Sequence, residues 1–83
     1  MKILYFAWLR ENVGYANEEI DLPKEIKNVS QLVNFLRKKS SGHNIALENM
    51  NTVRVAVNKE YSTLQTVVKD DDEIAFFPPV TGG

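Results

Sequence analysis

Cysteine is absent from this 83-residue chain, and histidine occurs only once. Without cysteine there is no disulfide, no thiolate metal ligand and no thiol nucleophile on any side chain. Neither of the common glycine-rich nucleotide-binding motifs, G-x-x-x-x-G-K-S/T and G-x-G-x-x-G, is present. Any covalent chemistry of this chain must therefore use another group, and any ATP must be bound by another protein.

Excess charge of one sign is also missing, since ten basic side chains oppose eleven acidic ones. The near balance argues against nucleic acid as the main partner, because phosphate binding needs a concentrated positive surface. No apolar run approaches the roughly 20 residues that span a bilayer, and the start MKILYFAWL lacks the features of a signal peptide. We therefore expect one domain that does not enter a membrane and is cytoplasmic.

Hydrophobic patterning predicts strands separated by turn formers, with one main helix. The helix begins at Ser30 as N-cap and runs to about residue 39, with Gly42 past its end. The stretch 10–17 is predicted to be a hairpin turn, and residues 40–52 are predicted to be largely irregular, with His43 exposed in that loop. The predicted strands and extended pieces are 2–9, 18–22, 53–57, a short piece from Tyr61, and 74–77.

This order of elements predicts an α+β fold, since a single helix can cover only one face of the sheet. The first strand is apolar on both alternations, so we place it in the middle of a mixed sheet beside the last strand. The result is a ubiquitin-like β-grasp roll over residues 1–77, followed by an extended tail, residues 78–83.

Some large apolar side chains are left on the face that the helix does not cover. They are Leu4, Phe6, Trp8 and Phe77. Either a partner protein or a second small core, partly shielded by residues 40–52, accounts for them.

The tail FFPPVTGG has an unusual composition, with two prolines after an aromatic pair and two glycines at its end. Pro78 and Pro79 lack amide hydrogens, so sheet pairing must stop after Phe77. The six residues that follow reach roughly 20 Å when extended, and Gly82 and Gly83 keep the tip narrow. The terminal carboxylate is ionised at neutral pH and is a poor electrophile until it is activated.

Three segments carry a resemblance to a known family that covers essentially the whole chain. KILYFAWLRENVG, VAVNKEY and DDEIAFFPPVTGG resemble the small subunits of molybdopterin synthase, which are ubiquitin-like sulfur carriers. FFPPVTGG is the specific part, since a bare Gly-Gly is shared by ubiquitin and its relatives. The turn Asp70-Asp71-Asp72-Glu73 departs from the family's Asp-Gly-Asp-Glu pattern.

The resemblance implies a carrier that is not catalytic alone but is a subunit of a sulfurtransferase. An ubiquitin-activating-like adenylyltransferase would use ATP to convert the Gly83 carboxylate to a glycyl-adenylate, and a sulfur donor protein would convert that to a thiocarboxylate, 1-thioglycine. The large synthase subunit, in a heterotetramer, would supply the active site and pass the sulfur to a cyclic pyranopterin precursor of the molybdenum cofactor. This chain itself would bind no cofactor or metal.

The same resemblance assigns roles to residues. Gly83 is the reacting group, and Phe6, Phe77 and Tyr61 match docking positions. The tether and its slim end are Pro78, Pro79, Val80, Thr81 and Gly82.

Other interpretations remain open at this point. The same activated Gly83 would serve a protein modifier joined to lysines, or a sulfur carrier for thiazole or tRNA thiolation. An interaction domain with an inert tail is a further alternative. The acidic run 70–73 is a weak candidate for a cation site, and the basic residues 37–39 are explained by the dipole of the preceding helix.

Overall fold

The computed structural model describes residues 1–79 and contains one five-stranded sheet. The strands are β1 (Lys2–Tyr5), β2 (Asn17–Glu19), β3 (Arg54–Val57), β4 (Glu60–Ser62) and β5 (Glu73–Phe77). Their order is β2-β1-β5-β3-β4, with β1 and β5 parallel in the centre and the other pairs antiparallel. The predicted pairing of the first and last strands in a mixed sheet is confirmed.

The main helix forms where the periodicity predicts it, but it begins earlier. Helix α2 (Val29–Arg37) is capped by Asn28, whose side-chain oxygen accepts a hydrogen bond of 2.9 Å from the Gln31 amide. Ser30 lies inside the helix, and its amide donates to the Leu64 carbonyl. The prediction of Ser30 as N-cap is therefore wrong by two residues, because Asn28 already supplies the cap. In chain order α2 is the second helix of the fold.

The first helix, α1 (Trp8–Val13), replaces the second half of the predicted first strand and the predicted hairpin turn. The chain leaves β1 through Ala7, which has φ 55° and ψ −132°. Gly14, with φ 103°, ends α1 by donating its amide to the Arg10 carbonyl. The returning strand is consequently Asn17–Glu19 and not 18–22.

The predicted irregular segment 40–52 is also helical. Helix α3 (Ser41–Leu47) is followed by a 3₁₀ turn, Met50–Thr52. Ser40 caps α3, because its hydroxyl accepts from the His43 amide at 3.1 Å. Gly42 therefore lies inside a helix and not beyond the end of α2. It lies against the backbone of α1 at Asn12, where a methyl group would overlap the carbonyl oxygen.

The core forms between the helices and one face of the sheet. Alternate residues of β1 and β5 are fully buried, and so are apolar residues of all three helices: Ile3, Tyr5, Ile74, Phe76, Leu9, Leu32, Leu36 and Leu47. Within residues 1–79 none of the helices has the length and apolar character that a bilayer crossing requires. The opposite face of the sheet carries the candidate site.

Candidate functional site

The site lies where β5 ends. Phe77 is the last residue of the strand, and Pro78 and Pro79 follow it outside any ladder, as their missing amide hydrogens require. The predicted site residues Val80, Thr81, Gly82 and Gly83 lie outside the described residues. The division into domain and tail and the roles of the tail residues therefore stay predictions, whereas the strand end that precedes the tail is part of the structure.

A row of apolar side chains crosses the open face of the sheet, which we define as the face turned away from the helices. The register places Leu4 beside Ala75, Ala75 beside Ala56, and Ala56 beside Tyr61. Two methyl side chains in the middle of the row, with larger side chains at both ends, make this surface a shallow apolar trough. Such a surface can accept a protuberance of a partner protein.

The three predicted docking residues lie on or beside this open face. Phe6 continues β1 next to β5, since its amide donates to the Phe76 carbonyl at 3.1 Å, and 47% of the residue is exposed. Tyr61 is 78% exposed and packs against Phe77 with ring centroids 5.8 Å apart. In sequence, Tyr61 is 16 residues from Phe77 and 55 residues from Phe6. The fold brings all three residues together beside the start of the tail.

The backbone conformation of Ala7 fixes the position of Phe6 at the end of β1. Its backbone lies in a region that non-glycine residues rarely adopt, which costs on the order of 1–3 kcal/mol. The turn ends the strand directly after Phe6 and starts α1 at Trp8. The prediction of Trp8 as a strand residue is therefore wrong, because it is the first residue of α1, and it is 37% exposed.

A buried polar cluster on the helix side was not predicted from the sequence. The Glu18 carboxylate accepts hydrogen bonds from the Tyr5 hydroxyl at 2.7 Å and from His43 Nε2 at 2.8 Å, and it pairs with Lys39 Nζ at 3.2 Å. His43 is only 2% exposed, so its prediction as an exposed loop residue is wrong. The reason is helix α3, which turns this side chain inward.

The hydrogen bond from His43 to Glu18 places a proton on Nε2. Because a carboxylate only accepts, the imidazole donates from Nε2 to Glu18. The Ser40 hydroxyl, which accepts from the His43 amide, can donate its own hydrogen to Nδ1 at 2.7 Å. Every buried side-chain polar atom in the described part of the chain has a partner. The cluster therefore ties β1, β2 and α3 together without an unsatisfied group.

The cluster shifts the pKa values of Glu18 and Tyr5. Burial alone raises the pKa of Glu18, but the hydrogen bonds from His43, Tyr5 and Lys39 outweigh burial, and the net pKa lies below the ordinary 4.5. Burial, and then the hydrogen bond to Glu18, raise the pKa of Tyr5 far above its ordinary value. At neutral pH Glu18 is therefore ionised and Tyr5 is a neutral donor.

This geometry predicts a pH-dependent contribution of Glu18 to stability. Since the folded pKa is lowered, the contribution is fully present above the unfolded value of about 4.5 and is lost as the pH falls through the folded pKa. Glu18→Gln should cost about 2 kcal/mol at pH 7, and the difference from wild type should shrink below pH 4.5. Urea unfolding at several pH values measures it. Glu19→Gln, an exposed neighbour, is the control, and a difference that does not change with pH would contradict the assignment.

The acidic turn at residues 70–73 is used for backbone capping. The Asp70 carboxylate accepts from the Leu22 amide at 2.8 Å, and this bond, with the charge of the chain's amino terminus, lowers the pKa of Asp70. Asp72 accepts from the Lys69 amide and from the Asn58 side chain. Within residues 1–79 no cluster of three acidic or histidine side chains is arranged to hold a metal ion.

Fold and site together define a class of protein: a ubiquitin-like β-grasp domain with an apolar open face beside the end of its last strand. The model of the ThiS family matches residues 3–83. The chain belongs to this family and, within it, to the molybdopterin synthase sulfur carrier subunits, as the sequence resemblance indicated.

The similarity to individual proteins extends over whole chains. The molybdopterin synthase sulfur carrier subunit of Haemophilus influenzae is 37% identical over 83 residues, which cover 100% of this chain and 99% of that protein. The structure of SAMP1 from Haloferax volcanii has a TM-score of 0.73 at 28% identity and covers 100% of this chain and 98% of SAMP1.

A third similar structure is a complex of subunits 1 and 2 of molybdopterin-converting factor from Helicobacter pylori. It has a TM-score of 0.60 at 24% identity and covers 99% of this chain and 96% of its counterpart. At this identity the likeness supports the β-grasp fold alone.

Proposed function

We propose that this chain is the sulfur carrier subunit of a molybdopterin synthase and that the Gly83 carboxylate carries the sulfur. One observation carries the proposal beyond family membership. The exposed side chains of Phe6 and Tyr61 and the half-buried Phe77, which are far apart in sequence, form an aromatic surface beside the strand end from which the tail continues. A protein that binds this surface is placed to receive the tail.

The chemistry follows from the properties of a carboxylate. An ionised carboxylate resists nucleophiles, so it must first become a mixed anhydride. An ubiquitin-activating-like adenylyltransferase joins it to AMP from ATP and releases pyrophosphate, which gives a glycyl-adenylate. A sulfur atom that the sulfur donor protein delivers at the oxidation level of sulfide then attacks the acyl carbon, AMP leaves, and the product is a terminal thiocarboxylate, 1-thioglycine. This chain contributes the reacting group and the docking surface, and the partners contribute the catalytic side chains.

The large synthase subunit is the proposed acceptor. The relative from Haemophilus influenzae, which is 37% identical over the whole chain and carries the synthase name, supports it. A tail of six residues reaches roughly 20 Å, which is enough to enter a pocket below the docking surface. The large subunit then transfers the sulfur to a cyclic pyranopterin precursor, and two carriers in a heterotetramer supply the two sulfurs of the dithiolene.

Mass spectrometry of the intact protein, purified from its own cells, tests the proposal. We expect a fraction whose mass shows one oxygen replaced by sulfur, with the change located in the C-terminal peptide. Incubation with the large subunit and the pterin precursor should return this fraction to the carboxylate form. A protein that stays entirely in the carboxylate form when cofactor synthesis is active would contradict the proposal.

A protein modifier is the second candidate, favoured by the likeness to SAMP1, a small archaeal modifier protein. The same activated Gly83 would then form an isopeptide bond with a lysine of another protein. Denaturing electrophoresis of cell extracts separates the two functions, because a modifier gives conjugates of larger mass that survive denaturation. A carrier gives only the free chain with its terminal sulfur.

A further inference from the structure

Arg54 is a charged residue placed within an otherwise apolar part of the open face. It is the first residue of β3, and the register places it directly beside Phe77 on β5. Paired residues of an antiparallel ladder point to the same face, so Arg54 shares the open face with Phe77. It is exposed, and it lies next to the strand end from which the tail continues.

At the opposite end of the same face, the basic residue has acidic neighbours. Lys2 on β1 is flanked by two carboxylates, Glu19 on β2 and Glu73 on β5. Arg54 has no such neighbour across the strand and forms no ion pair within residues 1–79. Its only hydrogen bonds there are two long ones of 3.4 Å from Nη1 to the carbonyls of Asn51 and Val53. Most of the guanidinium donors therefore have no partner among residues 1–79.

Docking at Phe77 changes the surroundings of this charge. A partner that encloses the tail must cover the residues around the strand end, and Arg54 is one of them. Removing an unpaired cation from water is costly unless an opposite charge meets it. A carboxylate is the matching group, because its two oxygens can accept a bidentate pair from the guanidinium.

We infer that Arg54 is a specificity-determining residue of the docking surface and pairs with an Asp or Glu carboxylate of the protein that takes up the tail. The inference rests on the proposed function, since it assumes that a protein docks at Phe77. Apolar contact at Phe6, Tyr61 and Phe77 supplies the binding surface. The ion pair selects partners that carry an acidic side chain opposite Arg54 and rejects those that do not.

Titration calorimetry of the full chain with the large synthase subunit of the same organism tests this inference. Arg54→Gln should weaken binding about 30-fold or more, the range for one partner of a buried charge pair. Arg54→Lys keeps the charge but loses the bidentate geometry, so it should weaken binding by about tenfold, less than Arg54→Gln does. The matched control is Lys38→Gln, which removes an equal charge directly after α2, on the helix side of the sheet, and should change the dissociation constant less than about twofold.

A charge reversal identifies the partner group. Arg54→Glu should abolish detectable binding, and one Asp→Lys or Glu→Lys substitution in the large subunit should restore it. Thermal unfolding of each variant should match wild type, because the side chain is exposed. If Arg54→Gln binds within about fivefold of wild type, as a solvated surface charge would, or if no reversal in the partner restores Arg54→Glu, the inference is overturned.

Phe77→Ala separates this inference from the proposed function. If Phe77→Ala loses binding while Arg54→Gln keeps it, the docking surface is correct and the ion pair is wrong. If Phe77→Ala binds the large subunit as wild type does, the proposed docking surface itself fails. The two failures therefore have different signatures in one set of titrations.

Discussion

Deleting Gly83 should abolish thiocarboxylate formation and leave the fold unchanged. The deletion moves the reacting carboxyl to Gly82 and shortens the tail by about 3.3–3.6 Å. A misplacement of that size removes a bound carboxyl from attack distance, where the reacting atoms must lie about 3–3.5 Å apart. Adding one alanine after Gly83 should fail as well, since it displaces the carboxyl by the same length and adds a Cβ at the narrow tip.

The measurement compares purified variants after incubation with the adenylyltransferase, ATP and the sulfur donor. Intact mass spectrometry quantifies the thiocarboxylate, and thermal unfolding checks the fold, which should persist because, of residues 1–79, every fully buried large side chain lies within residues 3–76. Lys24→Gln, an exposed change far from the tail in sequence, should be charged like wild type. Accumulation of a thiocarboxylate on Gly82 of the shortened chain would refute the role given to Gly83.

The sheet was predictable because its strands have simple patterns. Residues 53–57 alternate cleanly, and Pro78 and Pro79 set the end of β5, so both strands were placed to within one residue. The end of β1 was not predictable, because LYFAWL is equally apolar in a strand or a helix. What decides it is the turn at Ala7, a conformation that alanine rarely adopts and that no local sequence signal indicates.

The sequence predicted the residues of the open face, but it did not predict the buried cluster of Glu18 and His43. Phe6 and Phe77 are large apolar residues on predicted strands, so their position on the uncovered face followed from the shortage of covering elements. His43 was missed because its neighbours Gly42 and Asn44 suggest a loop. A signal was present: His43, Ala46 and Leu47 follow the spacing of a helix face, and Ser40 stands at the cap position. Pairing with Glu18, 25 residues away, depends on the tertiary fold.

Gly42→Ala should be the most damaging single-methyl change in the described part of the domain. Alanine ordinarily favours a helix over glycine by about 1 kcal/mol, so α3 alone would gain from the substitution. The packing reverses the sign, because a Cβ at this position overlaps the Asn12 carbonyl oxygen and lies 3.0 Å from its carbonyl carbon. Both atoms belong to the backbone of α1, which cannot rotate away as a side chain would.

Separating α1 from α3 would also disturb the cluster of His43 and Glu18, since His43 follows Gly42 directly. We therefore expect a net loss of about 3 kcal/mol in the free energy of unfolding, at the upper end for overpacking. Urea unfolding at pH 7 measures it. Gly14→Ala is the matched control: its Cβ meets no atom within 4 Å, so only the φ of 103° opposes it, at a cost of about 1–2 kcal/mol. If the two variants lose the same free energy of unfolding, the backbone at Asn12 moves away from the new methyl group without an energetic cost, and the prediction is wrong.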